Sequence, residues 1–563
     1  MYDSYKNFMM KFIRPYASTM AILIAFSFVS TLFAFVTPLL EKSLVDDVFI
    51  GGRTELFGYI LLGTAGTYII SSISTYISSY KKGKLDLALF NDVAKDIFGS
   101  LQFASIEKIQ EKKVGDLQSR ILANTRSAIS IFTFILPEFI ISSIRVITPF
   151  SIMLFLNLYL TLIVVIPALL FLMPMAFFGK RLEDTQRVSL LRNASIYSFL
   201  KENLSMIPLI KVFGLEIWSQ DKFSEQMNDY YDASMDYTKN ASLSYSIDSL
   251  MYGVPMVLLV LFGGSMVVQG SLTIGTFAAF MSYVALLFAP ITQFASLWSY
   301  YKSNSPAFDR IHEIFQMERD AGGEADLIIK EAKVTFDDVW FSYDNRPILQ
   351  GFNATFEKGL NYVIGDNGAG KSTILKLLCS LYTLEKGNIK IDGQDINNLR
   401  RSDLRKNISI IFSDPYLFDG PIYENIRLGN LSASKEEIIH AAKQVRAHEF
   451  IMALPNRYDT LVGEGGLKLS SGERQKIALA RAILRDSPIV LLDEVTKSID
   501  VDSRRSINEV VNVMKDDKTI IIVTHYINEI EVGSNKVYVS QKNQHDDRRF
   551  RSVDISMSKA IFS

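Results

Sequence analysis

One glycine-rich stretch has the residue types and spacing of a phosphate-binding loop. It reads IGDNGAGKST at positions 364–373, after a strand-like segment and before an apolar run that continues as a helix. Its glycines let the backbone curl so that successive N–H groups point at phosphate oxygens, and the helix adds the partial positive charge of its N-terminus. Lys371 is placed to reach the β- and γ-phosphates, and Ser372 to ligate Mg²⁺. The binding residues we assign are Gly365, Asp366, Asn367, Gly368, Ala369, Gly370, Lys371, Ser372 and Thr373.

Two apolar strands further along the chain end in groups that suit hydrolysis of a bound phosphate. The run PIVLLDEV at 488–495 ends in Asp493, placed to hold Mg²⁺, and Glu494, placed to polarise an attacking water. The run IIIVTHY at 520–526 ends in His525, which can contact a γ-phosphate or that water. A strand-end histidine by itself is more often structural. Beside the other two motifs, we expect it to be functional.

A serine-glycine turn predicts a second anion site. It opens the segment LKLSSGERQKIALARAIL at 467–484, which continues as a helix with exposed N-terminal N–H groups. One bound nucleotide needs only the phosphate-binding loop described above, so this second anion site has no ligand within a single copy. Two copies of the domain that face each other head to tail would explain it, because the turn of each copy could cap the phosphate bound by the other copy. The residues assigned to this turn are Ser470, Ser471, Gly472 and Glu473.

These motifs need an α/β framework, and the composition places it in the second half of the chain. The polar, glycine-bearing stretch ERDAGGEAD at 318–326 precedes alternating strand-like and helical segments with turn residues. We therefore expect a transmembrane domain with cytoplasmic helical extensions over 1–318, a linker over 319–326, and an α/β phosphate-loop nucleotide-binding domain over 327–563.

The first half contains six apolar segments long enough to cross a membrane. An even number returns the chain to its starting side. Basic residues at 81–84 and 179–181 follow the second and fourth segments, so both termini and the second half are expected in the cytoplasm. The predicted spans are 17–40, 56–80, 131–156, 158–180, 244–268 and 274–298.

The connections between these spans alternate in length. Short outer links alternate with inner segments of about fifty to sixty residues that have helical periodicity and many charges. We expect helices that continue well into the cytosol. The alternative is that the inner helices only tie the spans together.

Polar groups inside the spans need partners. Glu138 and Arg145 are seven residues apart, which places them on one face of the third span. Ionisable side chains facing lipid are costly, so we expect both to face another helix or a watery cavity. A structural pair and a cavity lining both remain open.

The bulk composition limits the classes of partner. The chain has 563 residues, 48% of them apolar, and a formal net charge of −1, so nucleic acid is not expected to bind. The single cysteine, Cys379, excludes an intramolecular disulfide and a cysteine-based metal cluster. The first residues lack a signal-peptide cleavage pattern, and we expect the first apolar helix to be retained.

Taken together, the chain resembles a half-transporter of the ATP-binding cassette exporter family, with an all-α six-helix transmembrane domain of the type I exporter kind. The loop at 364–373, IVLLDE, LSSGE and His525 correspond to that family's nucleotide motifs. The resemblance also implies that Tyr343, in FSYDNRPIL, stacks on adenine and that Asp500 ends the D-loop. It further implies ATP and Mg²⁺ as cofactors, and short coupling helices near 115–120 and 202–216.

Three sites depart from the family pattern. Ser413 replaces the usual Q-loop glutamine, and it could reach Mg²⁺ only through water. Ser471 and Glu473 replace a glycine and a glutamine in the signature, and an acid near a γ-phosphate can weaken capping. The D-loop region reads TKSID. Since Glu494 and His525 are present, we expect a hydrolysis site that works, at a reduced rate.

Two functions remain in competition. The first is ATP-driven export of an amphipathic peptide, drug-like compound or lipid across the cytoplasmic membrane, by alternating access of a dimer, with a homodimer favoured over a heterodimer. The second is a regulatory or structural half-subunit of a heterodimeric transporter with a weakened ATP site. The six spans exclude a soluble DNA-repair ATPase, and the fusion of both domains in one chain disfavours an importer.

Overall fold

The structure, a computed structural model, describes residues 8–170, 172–320, 322–344, 346–496, 501–525, 530–531 and 534–539. The chain divides into two compact units. The helical unit comprises Met1–Ser100 and Lys113–Gln316, and the sheet unit comprises Leu101–Lys112 and Met317–Ser563.

Long helices, joined in places by π-helical turns, make up the helical unit. The π-helical turns are Met9–Ile13, Leu44–Ile50, Arg120–Asn124, Ile131–Ile135 and Leu259–Gly263. A 3₁₀ turn covers Arg14–Tyr16. The α-helices are Ala17–Ser43, Leu56–Gln102, Val114–Ser119, Thr125–Ser130, Leu136–Leu156, Leu158–Leu170, Leu172–Ser205, Ile207–Phe213, Glu216–Leu258, Gly264–Val268 and Ile274–Phe315.

Five of the six predicted spans are confirmed as helices long and apolar enough to cross a membrane. They are Met10–Ile50, Leu56–Gln102, Val114–Leu156, Glu216–Val268 and Ile274–Phe315. The fourth predicted span falls on Leu158–Leu170 and Leu172–Ser205, and Phe171 between them lies outside the described residues. The apolar helix described there, Leu158–Pro167, is shorter than a full span.

The helices also extend beyond a bilayer, as their charged inner segments predicted. Leu56–Gln102 has 47 residues, which at the helical rise per residue gives about 70 Å. That length is more than twice the roughly 30 Å of a hydrocarbon core.

The last long helix, Ile274–Phe315, lies at the centre of the apolar packing in this unit. Phe280, Tyr283 and Val284 are fully buried, and the Tyr283 hydroxyl donates to the carbonyl oxygen of Phe35 at 2.7 Å. At its N-terminus, Asp46 accepts a hydrogen bond from the Gly275 N–H at 2.8 Å. A carboxylate at this position complements the helix dipole and fixes where the helix begins.

The polar groups of the third span pair across two helices. Glu138 Oε1 accepts hydrogen bonds from Arg145 Nη1 at 3.0 Å and from Gln293 Nε2 at 2.9 Å. Gln293 Oε1 in turn accepts from Ser142 Oγ at 3.2 Å. The carboxylate therefore has both a charge partner and an amide partner.

The sheet unit contains one parallel and one antiparallel sheet. The parallel sheet has the strand order β6-β7-β8-β3-β9, and the antiparallel sheet has the order β2-β1-β4-β5. The strands are β1 Val334–Tyr343, β2 Arg346–Phe356, β3 Gly359–Gly365, β4 Lys386–Ile391, β5 Gln394–Asp395, β6 Ile408–Ile411, β7 Ile489–Asp493, β8 Thr519–Thr524 and β9 Asn535–Val539.

Helices surround these sheets. The 3₁₀ turns are Ile396–Asn398, Arg457–Asp459 and Glu464–Gly466. The α-helices are Ile106–Gln110, Lys371–Leu378, Arg401–Lys406, Ile422–Arg427, Lys435–Gln444, His448–Ala453, Ser471–Arg485 and Val501–Met514.

Both faces of the parallel sheet are covered, so its strands read as continuous apolar runs. Every residue of β7 is buried. Leu491 belongs to one apolar cluster and its neighbours Val490 and Leu492 to the other, because successive side chains of a strand point to opposite faces.

A two-residue turn between β4 and β5 fastens the chain that precedes β1. Asp392 and Gly393 both have positive φ, 48° and 81°, as a tight hairpin turn requires. The Asp392 carboxylate accepts the backbone N–H groups of Lys330, Glu331, Ala332 and Lys333 at 2.7–3.2 Å. Burial alone would raise the pKa of Asp392, but the four donors together hold it below its ordinary value.

Asp392→Ala is expected to lower the free energy of unfolding by about 1–3 kcal/mol, because four N–H groups lose their acceptor. Asp392→Asn keeps an acceptor and tolerates positive φ, so its loss is expected to be smaller. The lowered pKa means that the carboxylate stabilises the fold above its unfolded-state pKa, and that this contribution fades as pH falls below about 4. Thermal unfolding of the purified protein checks this, and a wild-type midpoint for the alanine variant would contradict it.

Candidate functional site

Three motifs meet because three neighbouring parallel strands end at the same edge of the sheet. The phosphate-loop sequence follows β3, Asp493 ends β7, and His525 follows β8. In the register, Ile364 lies opposite Thr524 and Asp493 lies opposite Val523. Parallel pairing therefore brings together segments more than a hundred residues apart in sequence.

The loop after β3 has a backbone that requires glycine. Gly368 and Gly370 have φ of 81° and 94°, and Gly370 is the N-cap of the helix Lys371–Leu378. At Gly365 a Cβ atom would overlap the carbonyl oxygen of Val539 on the adjacent strand. The loop therefore curls onto a helix N-terminus, the arrangement that binds anions.

Lys371 holds this loop from inside. Its side chain is buried, and Nζ donates to the carbonyl oxygens of Gly365 and Asp366, each at 2.8 Å. Nζ also lies 3.5 Å from His525 Nδ1. The ammonium group is thus fixed beside the loop and the end of β8.

The remaining residues of the phosphate-binding loop differ in their exposure to solvent. Asp366 and Asn367 are exposed, whereas Ala369 and Thr373 are buried. The Ala369 N–H donates to the Asp366 carbonyl oxygen at 3.2 Å, which closes the curl.

Ser372 and Asp493 form a pair of oxygen ligands. Ser372 Oγ donates to Asp493 Oδ1 at 2.8 Å. Burial raises the pKa of Asp493, and the charge of Glu494 adds to the rise, while the Ser372 hydrogen bond and nearby lysines oppose it. A hydroxyl and a carboxylate are ligands that Mg²⁺ accepts together with substrate phosphates, so the residues fit that ion.

Glu494 and His525 face each other next to this pair. His525 Nε2 lies 2.5 Å from Glu494 Oε1. Glu494 has a positive φ of 49°, and its N–H donates to the Val523 carbonyl oxygen at 3.0 Å. The left-handed backbone at the strand exit is uncommon for a non-glycine residue, and such strain clusters at functional sites.

Tyr343 lies at the end of β1 and is half-buried. Its ring meets those of Phe341 and Tyr382 edge-on, at 4.8 Å and 5.1 Å between centroids. Burial raises the pKa of its hydroxyl to about 12, so the group is neutral at physiological pH.

The signature turn is a capping box on the helix Ser471–Arg485. The Ser470 N–H and Oγ both donate to Glu473 Oε2, at 2.8 and 2.9 Å, and Ser470 Oγ accepts the Glu473 N–H at 3.3 Å. Gly472 is buried. The acid that departs from the family pattern is therefore turned back onto its own helix N-terminus, where it satisfies backbone donors.

Two substitutions separate the structural role of Glu473 from its charge. Glu473→Gln keeps an oxygen acceptor for the Ser470 N–H, so we expect an unchanged unfolding midpoint. If the turn caps a phosphate as predicted, the apparent ATP affinity should also be tighter, because the substitution removes a negative charge from the turn. Glu473→Ala is expected to lower the free energy of unfolding by about 0.5–1 kcal/mol, since an acid at the helix N-terminus is lost. Thermal unfolding and ATP titration check both, and weaker ATP binding by the glutamine variant would contradict the prediction.

One predicted site residue is less closely tied to this cluster, and another lies outside the described residues. Ser413 follows β6 with an exposed side chain, and its carbonyl oxygen accepts from Gln475 Nε2 at 2.7 Å. Asp500 lies outside the described residues.

The structure adds contacts that sequence reasoning missed. Gln475, buried in the signature helix, also donates to the Phe412 carbonyl oxygen at 3.2 Å, so it ties the signature helix to the segment after β6. Its spacing, four residues after Ser471, was the available signal.

A second missed contact joins the first inner segment to the chain that follows the helix Lys371–Leu378. Glu107 Oε1 accepts the Thr383 N–H at 2.9 Å, and Gln110 Oε1 accepts from the Tyr382 hydroxyl at 2.7 Å. Tyr382 is the residue whose ring contacts Tyr343. The connecting helix is Ile106–Gln110, which precedes the 115–120 segment expected to carry it.

Comparisons with known proteins agree with this geometry. Residues 20–291 match the family described as ABC transporter transmembrane region, and residues 349–497 match the family described as ABC transporter. A solved structure of a bacterial Atm1-family ABC exporter with ATP bound shares the fold, with a TM-score of 0.80, 23% identity, and coverage of 94% of this chain and 95% of that chain.

Relatives extend the agreement over most of the chain. A putative multidrug export ATP-binding/permease protein of Staphylococcus aureus is 31% identical over 82% of this chain and 80% of its own length. The putative multidrug export ATP-binding/permease protein YgaD of Bacillus subtilis is 28% identical over 94% of this chain and 94% of its own length. The serine protease/ABC transporter B family protein tagA of Dictyostelium discoideum is 30% identical over 92% of this chain, which spans 30% of the length of that protein.

The membrane helices, the nucleotide motifs and these matches lead to one assignment. The second half of the chain binds ATP, and the hydrolysis of ATP is coupled to transport. The chain belongs to the ATP-binding cassette transporter family, as a multi-pass membrane half-transporter of the exporter type.

Proposed function

We propose that two copies of this chain form a homodimeric exporter that moves an amphipathic peptide, drug-like compound or lipid out across the cytoplasmic membrane. The observation that carries the proposal is the convergence of Lys371, Ser372, Asp493, Glu494 and His525 at one sheet edge. The relatives named as multidrug exporters support the amphipathic class of substrate.

In this proposal, the loop at 365–373 binds the triphosphate through its N–H groups and Lys371. Ser372 and Asp493 would hold Mg²⁺, and Ser413 could reach it only through water. The ion, when bound, neutralises charge on the phosphate oxygens. Glu494 polarises the attacking water, and His525, 2.5 Å from its carboxylate, orients that water against the γ-phosphate.

The dimer supplies the parts that one copy leaves unused. Tyr343 stacks on the adenine of its own copy, while the signature residues 470–473 cap the phosphate bound by the other. Asp500 belongs to the D-loop at the same boundary. Each nucleotide is then enclosed only when two sheet units approach, and hydrolysis releases them.

We further propose the domain limits 1–318, 319–326 and 327–563, with the nucleotide-binding domain in the cytoplasm. The Gln110 side chain accepts a hydrogen bond from Tyr382, whose ring contacts that of Tyr343, so the short helix Ile106–Gln110 borders the proposed adenine site.

The alternative is a regulatory half-subunit that needs a different partner chain. Ser413 and Glu473 motivate it. The capping role of Glu473 weakens the case for this alternative, because the acid stabilises the N-terminus of its own helix.

One experiment separates the two functions. The purified chain, reconstituted alone in liposomes, is expected to hydrolyse ATP, with stimulation by members of a panel of peptides, dyes and lipids. Activity that appears only after a second, different half-transporter is added would favour the alternative and overturn the homodimer.

A further inference from the structure

A polar cavity lies between three helices of the helical unit, outside the nucleotide site. It is bounded by Ala17–Ser43, Leu56–Gln102 and the segment that leads through Leu136–Leu156. Its volume is about 170 Å³, smaller than the roughly 300–1,000 Å³ of pockets that enclose a drug-sized ligand. It can therefore hold a head group rather than a whole amphipathic molecule.

Hydroxyl groups form one wall of the cavity. Ser27 Oγ lies 2.6 Å from Ser78 Oγ, and Ser30 Oγ lies 2.8 Å from Thr75 Oγ1. The Ser78 hydroxyl also donates to the Leu23 carbonyl oxygen at 3.3 Å, so both protons of the first pair are used within the protein. In the second pair, the Thr75 proton is left to donate when Ser30 donates to Thr75, so this wall can offer a hydroxyl donor to an anion.

The charges that line the cavity have a positive excess of one. Glu138 is already held by Arg145 and Gln293. The half-buried Lys82 places Nζ 4.2 Å from the centre of the Phe134 ring. Among the residues that the structure describes, Lys82 has no carboxylate within ion-pair distance, so its charge is available to a ligand.

The position of Lys82 suits the inner face of the membrane. It follows the predicted second span by two residues, while Leu23, Pro137 and Ile141 supply an apolar part of the lining. A molecule with an anionic head and an apolar tail matches both parts.

We propose that this cavity binds the anionic head group, a phosphate or a carboxylate, of an amphipathic molecule drawn from the inner leaflet, with Lys82 as its charge partner. The inference rests on the proposed function for the view that this molecule is the transported substrate. Binding itself does not depend on hydrolysis, so it can be tested separately.

The test measures equilibrium binding of three labelled probes to the purified full-length protein in an uncharged detergent. The probes are phosphatidylglycerol, a long-chain fatty acid and phosphatidylcholine. The wild type is expected to bind an anionic probe at least about tenfold more tightly than phosphatidylcholine, the factor given by a hydrogen bond to a charged group. The tighter of the two anionic probes identifies phosphate or carboxylate as the preferred head.

Matched variants locate the site. Lys82→Gln should remove most of the preference for the anionic probe, whereas Lys82→Arg should retain it. Lys84→Gln removes the same charge from an exposed side chain outside the cavity and should leave binding unchanged. Glu138→Gln should tighten binding several-fold, because it removes the negative charge of the lining.

No preference for either anionic probe in the wild type, or an equal loss in the Lys82→Gln and Lys84→Gln variants, would overturn the proposal. ATPase activity is measured on the same samples. Selective anion binding without ATPase activity would support this binding site and count against the exporter function. ATPase activity without selective anion binding would support the exporter function and overturn this binding site.

Discussion

Replacing Glu494 with glutamine is expected to reduce ATP hydrolysis by about a hundredfold or more, the contribution of a positioned general base. The amide keeps the size of the side chain but cannot accept the proton of the attacking water. ATP binding should persist, because the contacts of Lys371 with the loop are untouched. The measurements are phosphate release and ATP titration.

Glu464→Gln is the matched control, since that carboxylate is exposed in the same unit, and it should hydrolyse ATP like the wild type. Residual activity of the Glu494 variant within a few-fold of wild type would show that another group serves as the base.

Lys371→Ala is expected to reduce ATP hydrolysis strongly by weakening ATP binding. In the proposed function, the ammonium donates charge-assisted hydrogen bonds to the ATP phosphates, so the affinity should fall by about ten- to a hundredfold. It also ties together the carbonyl oxygens of Gly365 and Asp366, and the loop loses this internal support. ATP titration of the purified variant measures the effect.

Lys358→Ala, at an exposed position of the same unit, is the control and should bind ATP normally. Unfolding midpoints for both variants distinguish lost affinity from lost folding. A folded Lys371 variant with wild-type affinity would contradict the assignment of the loop.

Much of the nucleotide site follows from sequence because its parts are local. Glycines before Lys371, and acids after an apolar strand, specify a loop and a strand end without knowledge of the rest. That β3, β7 and β8 are neighbours is a property of strand order, which the motifs indicate only in combination.

Other features depend on non-local contacts and could not be predicted. The resemblance placed the connecting helix near 115–120, whereas the contacts come from Glu107 and Gln110, because they depend on how Tyr382 and Thr383 are presented. The orientation of the Glu473 side chain could not be predicted for a related reason. Its capping role depends on the extended backbone conformation of Ser470, the N-cap residue. Gln293, the partner of Glu138 on another helix, likewise could not be predicted from the spacing of residues along one helix.

The central claim is that each ATP site combines the loop of one copy with the signature turn of the other. The most direct test mixes two inactive variants, Lys371→Ala in the loop and Ser471→Arg in the signature, and co-assembles them. Each variant alone should be inactive, while the mixed dimer, which retains one intact composite site, should regain ATP hydrolysis. A mixture as inactive as either variant alone, or a signature variant with full activity by itself, would contradict the account.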